Sequence, residues 1–570
     1  MANIFNSIRM KRPKRNAFNL SYESKLTMNM GELVPIMCMP VVPGDKFRVK
    51  TESLVRLAPL VAPMMHRVNV FTHYFFVPNR LVWNQWEDFI TKGVDGTDVP
   101  VFPKIVLDNT LETTPGSSIF DRKLFRDGSL WDYLGLPSIR QIGDTSDGYV
   151  DPSPSPNSVN VPLDFKVSAL PFRAYQLIYN EYYRDQNLTD PIDFSLDSGD
   201  VKSDFYKLLT LRRRAWEKDY FTSALPWLQR GPEVTVPVQG AGGSMDVVYE
   251  PAEDSSGFQI WRTNDGSGFR QGQSYSAAFA GVSEPSGSSS KPTYLAGQLI
   301  GTSTGIGNVG PELDPNGTLK VNVDEFGVNI NDLRTSSALQ RWFERNARGG
   351  SRYIEQILSH FGVRSSDARL QRPQFLGGSR MPISVSEVLQ TSSTDATSPQ
   401  ANMAGHGISA GVNNGFKHYF EEHGYVIGIM SITPRTGYQQ GVPRDFMKFD
   451  NMDFYFPEFA HLSEQEIKNQ ELYVSSEQSY NEGTFGYTPR YAEYKYKSSE
   501  SHGDFRGNLA FWHLNRIFAS QPNLNTTFVE CNPSNRVFAT SDTEDDKFWI
   551  QIYQDVKALR LMPKYGTPML

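Results

Sequence analysis

Two hydrophobic periods divide this chain. Lys46–Lys50 (KFRVK) alternates strictly, and Val68–Val77 (VNVFTHYFFV) places Val68, Val70, Tyr74 and Phe76 on one side. Both patterns predict strands with one apolar face. Pro35, Pro40, Pro43–Gly44 and Pro59 punctuate these runs. Short strands and turns at that spacing favour a β-sandwich or barrel over βαβ units. Tyr425–Thr433 (YVIGIMSIT) reads as a buried strand, and Lys547–Leu561 sets Phe548, Ile550 and Ile552 on one face in strand period. A C-terminal strand that pairs back beside the N-terminal ones is what a jelly roll requires. The sequence therefore predicts a mainly β fold.

Helical spacing appears between the strands. Pro78 ends the second run and Asn79 can cap a helix, with Leu81, Trp83, Trp86 and Ile90 facing inward and Gly93 closing it. A helix is predicted over Arg122–Tyr133. Pro171 suits the first turn of another, whose Tyr175, Ile178, Tyr179 and Tyr182 form an aromatic stripe of the kind that usually lines a core. Between Arg334 and Val388, apolar residues recur at Leu339, Trp342 and Phe343, Gly349 and Gly350 stop the period, and Ile354, Ile357, Leu358 and Phe361 restart it as far as Gly362. Two short amphipathic helices joined by a Gly-Gly corner follow from this, with arginines such as Arg341, Arg345, Arg348 and Arg352 outward. An alternating run at Met381, Ile383, Val385 and Val388 comes next. The predicted core anchors are Trp83, Trp86, Tyr175, Tyr179, Trp342 and Phe343.

Composition sharpens the domain picture. Hydrophobic residues make up 39% and aromatics 12% of the 570 residues, which supports a large globular core and excludes a disordered chain. No apolar run approaches the roughly 18 residues of a transmembrane helix, and the basic N-terminus lacks the apolar segment of a secretory signal. The net charge of −7 is uneven: residues 232–333 hold 12 Asp/Glu and 4 Lys/Arg, which leaves 51 and 52 elsewhere, a net +1. The same segment has 16 Gly, 12 Ser and 7 Pro. It reads as an acidic surface insertion with strand character at Val234–Val238, Asp246–Tyr249, Phe258–Trp261 and Leu319–Val323. Residues 1–16 read as a flexible basic arm, and 17–231 with 334–570 as the body that carries the core.

Catalytic and metal signatures are weak. Gly305, Gly307 and Gly310 match the dinucleotide pattern but precede Pro311 and Pro315 in place of a helix. His418 and His423 are five apart, which does not set both rings on one helical face for zinc. Cys38 and Cys531 form no metal pattern; they can pair, though a reducing cytoplasmic setting is expected. Neither a catalytic residue nor a metal or other cofactor is predicted. The cations carry more information. Arg9, Lys11, Arg12, Lys14 and Arg15 in the arm, and the triplet Arg212, Arg213 and Arg214, can neutralise phosphates, with Phe5, Phe18 and Trp216 placed to stack on bases. The alternatives are a solvated tail and a salt-bridged face.

Several long strings carry a resemblance. They are the stretch Arg334–Val388, Phe75–Phe89 (FFVPNRLVWNQWEDF), Pro171–Leu188 (PFRAYQLIYNEYYRDQNL), Leu211–Gly231 (LRRRAWEKDYFTSALPWLQRG), His423–Met430 (HGYVIGIM), Tyr455–His461 (YFPEFAH) and Phe485–Tyr496 (FGYTPRYAEYKY). Together they resemble the major capsid protein of gokushovirus-like microviruses, small circular single-stranded DNA phages. The resemblance spans most of the chain except 232–333. It implies a single eight-stranded viral jelly roll elaborated by long loops and helices, and a structural role without enzymatic activity. It also implies a homo-oligomeric T=1 icosahedral shell around single-stranded DNA, assembled in the bacterial host cytoplasm and found in the virion. Implied partners are an internal scaffolding protein, a DNA pilot protein, a small basic DNA-binding protein and a host surface receptor, with no membrane insertion. By the same resemblance, the insertion 232–333 is expected to form a three-fold protrusion with a role in host attachment. A jelly roll also hosts carbohydrate-binding proteins and glycoside-active enzymes, so that class stands as the alternative.

Overall fold

The computed structural model describes residues 15–91, 97–108, 119–120, 123–144, 148–202, 205–229, 330–349, 371–391, 402–413, 415–462, 464–540 and 545–565, with four short strands between 247 and 321. Two antiparallel sheets dominate them. Their strands are β1 (Asn16–Asn19), β2 (Tyr22–Met28), β3 (Val34–Val41), β4 (Lys46–Leu57), β5 (Val68–Pro78), β6 (Gln374–Pro382), β7 (Ser384–Leu389), β8 (Met403–Asn413), β9 (Lys417–Tyr419), β10 (Gly424–Pro434) and β11 (Phe548–Arg560). The seven-stranded sheet runs β1-β11-β4-β8-β7, with β2 also on β11 and β9 also on β4; the four-stranded sheet runs β6-β5-β10-β3. The C-terminal strand thus lies between the N-terminal strands and β4, twelve register pairs long against β4, from Phe548↔Leu57 to Leu559↔Lys46.

The alternation of β4 and β11 has a direct cause. Phe47, Val49, Val55, Leu57, Phe548, Ile550, Ile552 and Val556 are buried, while the positions between them are mostly exposed. Their apolar face meets the inner face of the other sheet through Val68, Val70, Tyr74, Phe76, Val426, Met430 and Ile432. One polar cluster interrupts this interior: Thr51 Oγ1 donates to Gln554 Oε1 at 2.6 Å and bonds the Tyr74 hydroxyl. Each buried polar atom needs such a partner, because leaving one unsatisfied costs about 1–3 kcal/mol.

The four-stranded sheet is covered on its outer side as well. Phe75 and Val77 of β5 and Ile427 and Ile429 of β10 pack into a second core with Trp83, Trp131, Phe172, Tyr175 and Phe205. These come from the β5–β6 connection, which holds α1 (Trp86–Thr91), α2 (Leu130–Tyr133), α3 (Leu170–Ile178, continued as a π-turn to Tyr183) and α4 (Phe205–Leu209). Polar bonds pin this cover: Trp83 Nε1 donates to Ser198 Oγ at 2.7 Å, Tyr175 hydroxyl to Leu33 O at 2.8 Å, and the buried Arg173 to Val82 O and Asp197 O at 3.1 and 3.0 Å.

Several local expectations change. The helix predicted over Arg122–Tyr133 shrinks to the single turn α2, capped by Ser129, whose side chain accepts the Asp132 N–H; residues Lys123–Gly128 form turns, with Gly128 at φ 76°. After Pro78 the chain makes a 3-10 turn, Asn79–Leu81, before α1, and Ile90 points to solvent. The helix through Trp342 is α5 (Ile330–Gly349), longer than its apolar triad suggested; the second helix expected over Ile354–Phe361 lies outside the described residues.

The chain divides into two compact units, Met1–Arg230 with Glu344–Leu570, and Gly231–Phe343. In the second, Val247–Tyr249 pairs with Leu319–Val321 and Trp261–Arg262 with Gly310–Pro311, all antiparallel. Gly310 therefore sits on a strand, where a phosphate-binding glycine would open a helix. Val234–Val238, Gly305 and Gly307 lie outside the described residues. Among the described residues no helix is long and apolar enough to cross a membrane. Cys38 and Cys531 are free thiols, both pushed up to about 12 by burial.

Candidate assembly interface

The basic triplet faces inward. Arg212 donates to Gln176 Oε1 at 2.9 Å and Lys207 O at 2.7 Å and lies over the Tyr179 ring. Arg213 bonds Met30 O at 2.9 Å and pairs with Glu32 at 3.2 Å. Arg214 reaches Ser431 Oγ at 3.1 Å and stacks on Phe71 at 4.6 Å. With their donors committed to carbonyls, side chains and rings of their own subunit, these three act as a clamp between the helical cover and β10 rather than as a phosphate patch. In the arm, Arg9, Lys11, Arg12 and Lys14 lie outside the described residues; Arg15 is exposed, its guanidinium 5.3 Å from the Tyr419 ring centre.

The core anchors divide. Trp83 and Tyr175 are fully buried. Trp86 is half-buried, edge-on to Trp83 and His423 at 6.1 and 5.6 Å, and Tyr179 is half-buried under Arg212. Trp342 is 48% exposed, one turn from Leu339, which is also exposed, and Phe343 is half-buried with its ring 5.2 Å from that of Trp342. Trp342 is thus not a core anchor of the isolated chain. Helical spacing reports an apolar stripe and says nothing of which molecule covers it.

A larger apolar surface lies between Pro443 and Leu462. Phe446 is 75% and Phe449 89% exposed, and Met452, Phe454, Tyr455 and Phe456 are open as well. The segment is built from three 3-10 turns, Arg444–Met447, Asn451–Asp453 and Pro457–His461, the second closed by a capping box at Asp450. Its backbone is held firmly. Arg444 donates to Glu466 O at 2.7 Å and Glu471 Oε1 at 2.9 Å, Arg490 to Met452 O at 2.9 Å, and the Tyr491 hydroxyl to Phe454 O at 2.9 Å. Burial pushes the Glu471 carboxyl up, against the pull of Arg444. Soluble monomers rarely leave so many contiguous aromatics in water, and a rigid patch of this kind marks a protein interface. Periodicity could not reveal it: the aromatics of DFMKFDNMDFYF fit neither the strand nor the helix period.

A cavity of about 940 Å³ opens at the β2–β3 edge against α2. Its carboxylates serve local structure: Asp132 accepts the Gly128 N–H at 3.0 Å and Asp127 accepts the Ser138 hydroxyl. Among the described residues no cluster of His, Cys, Asp or Glu could hold a metal.

Comparison with known proteins agrees with a surface built for assembly. The family model described as capsid protein (F protein) matches residues 6–139 and 142–570. Capsid protein VP1 of Chlamydia phage 1 is 36% identical over 100% of this chain and 98% of its own. Capsid protein VP1 of Bdellovibrio phage phiMH2K is 34% identical over 97% and 95%, and that of Spiroplasma virus 4 is 30% identical over 98% and 95%. These names belong to a structural protein of the virion and to gokushovirus-type microviruses. The chain belongs to the capsid protein (F protein) family of the microviruses, a family of subunits that form a multimeric shell around the phage genome.

Proposed function

We propose that this chain is the major subunit of a T=1 icosahedral shell around a circular single-stranded DNA genome. Its framework in this reading is an eight-stranded jelly roll. Strand order supports it: numbering β2, β3, β4, β5, β6, β8, β10 and β11 from one to eight, the sheets run 1-8-3-6 and 2-7-4-5, the wrapped order of two Greek keys. β1, β7 and β9 extend the first sheet. The observation that carries the assembly reading is the rigid aromatic segment Pro443–Leu462, which needs a neighbour to cover it. Burying one such Phe contributes about 1.5–3 kcal/mol, and a shell repeats each contact by symmetry.

The remaining assignments follow from the family resemblance. The acidic insertion 232–333 forms a surface protrusion at the three-fold axes and meets a host receptor. The basic arm, Arg9 to Arg15, lies on the inner surface. An internal scaffolding protein, a DNA pilot protein and a small basic protein share the assembly pathway in the host cytoplasm. The glycoside-active alternative has no specific observation in its favour, since Asp127 and Asp132 at the cavity beside α2 are engaged in the loop that caps that helix.

Negative-stain microscopy of the expressed protein tests this reading. Wild type is expected to form shells or their symmetric precursors. The double variant Phe446→Ser, Phe449→Ser is expected to stay a folded monomer. Wild-type protein that remains monomeric under all assembly conditions would contradict the proposal, and a double variant that forms normal shells would remove the aromatic segment from it.

A further inference from the structure

The outer face of the seven-stranded sheet carries a conflict that the subunit does not resolve. In register, Lys557 of β11 stands opposite Arg48 of β4, and Arg48 opposite Lys417 of β9. All three are exposed, so three cations form one row across three strands. Like charges directly opposed on a sheet destabilise it. Lys46 and Lys50 flank Arg48 on the same face. Two carboxylates share this face: Asp555, 3.9 Å from Lys557 and bonded to Ser21 Oγ, and Glu52, exposed next to Lys50 along β4 and opposite Val412 of β8. The local balance is five cations to two anions, a net +3. No ion pair within the described residues engages Lys46, Arg48, Lys50 or Lys417.

The row also has depth. Where the chain steps from β8 to β9, Gly415 and Phe416 leave a cavity of about 420 Å³, lined by Arg48, Lys50, Lys417 and Val412. Tyr419, 40% exposed, stands beside it opposite Lys46, with Arg15 over its ring. A concave cationic site edged by an open aromatic fits a phosphate–sugar unit with a base stacked alongside. A flexible single strand can dip one nucleotide into such a cavity; a stiff duplex cannot. We infer that Arg48, Lys50 and Lys417 form a single-stranded DNA backbone site, and that this sheet face is turned toward the packaged genome.

This inference rests on the proposed shell around single-stranded DNA, and the two fail separately. The test is the variant Arg48→Gln, Lys50→Gln, Lys417→Gln in the full chain, measured against labelled oligothymidylate over a salt series. Each lost phosphate contact lowers the slope of log affinity against log salt by about 0.7, so the triple variant should lose about 2 from the slope. Its shells should form at wild-type yield with less DNA retained. A wild-type slope in the variant overturns the site. Loss of shells with an unchanged slope assigns the cavity to a contact between copies, for instance with the acidic 232–333 segment, and likewise overturns it. If the triple variant does not fold, Lys417→Gln alone should lower the slope by about 0.7. Wild type that binds DNA with a steep slope but never forms shells would leave this site standing and remove the shell.

Discussion

The two sheets of the sandwich share one interior yet treat their outer faces in opposite ways. On the four-stranded sheet, β5 and β10 are buried on both sides, because Phe75, Val77, Ile427 and Ile429 lie under Trp83, Phe172 and Tyr175. On the seven-stranded sheet, the outer positions of β4 and β11 are largely open and hold Lys46, Arg48, Lys50, Glu52, Trp549, Tyr553 and Lys557. The chain covers one face with Trp83 and the helices α1 to α4 and leaves the other open, with cations in excess. A subunit that covers one face with its own helices and leaves the other open and charged is shaped to lay that open face on something anionic.

The sharpest way to break this comparison is to substitute the same residue type on each face. Trp83→Ala, in the cover, should cost about 3–5 kcal/mol in urea unfolding, enough to threaten the subunit. Trp549→Ala, half exposed on the open face, should stay within about 0.5 kcal/mol. Equal costs would mean that the two faces do not differ as described. Next in size is Arg173→Met. It leaves Val82 O and Asp197 O without their buried donor and should cost about 1–3 kcal/mol. A neutral result would show that these carbonyls find other partners.

A smaller effect separates the faces by pH. His73, midway along β5 among Phe75, Tyr183 and Phe375, is lowered to about 4, first by burial and then by Arg214. The unfolded chain takes up this proton near pH 6.5 and the folded chain does not until about 4. Stability is therefore lost as pH falls through that window. His66, lowered to about 4 by burial, acts in the same direction. Comparing wild type with His73→Gln isolates the first contribution: the variant should lose less stability between pH 6.5 and 4, and identical pH profiles would show that His73 is not held neutral. The smallest effect expected on the fold is that of replacing residues 232–333 by a short Gly/Ser linker. The core should still unfold cooperatively at nearly the wild-type urea midpoint, and a molten core would tie the insertion into the fold.

Legibility in the sequence followed how local each cause was. The alternation of β4 and β11 was plain because one side meets solvent and the other the core. The apolar run of β10 was equally plain. The cover was only half legible: Trp83 and the Tyr175 stripe stood out, but α2 looked like a full helix, since the apolar residues at Leu124, Phe125, Leu130 and Trp131 fit helical spacing while Gly128 and Ser129 break it. Trp342 misled for the opposite reason, its stripe lying open in the single chain. The arginine triplet shows that a charge run gives no partner, because Gln176, Glu32 and Ser431 are distant in sequence from Arg212, Arg213 and Arg214. The cationic row was hidden entirely, since Arg48, Lys417 and Lys557 become neighbours only through strand register.

The central claim is that the open cationic face meets the genome. Ultraviolet cross-linking of DNA to the shell protein in intact particles, read by mass spectrometry of the digested subunit, tests it most directly. Cross-links are expected on the peptides that carry Lys46–Lys50 and Lys417–Tyr419. Cross-links confined to other surfaces, with Lys46, Lys50 and Lys417 open to acylation from outside the intact particle, would contradict it.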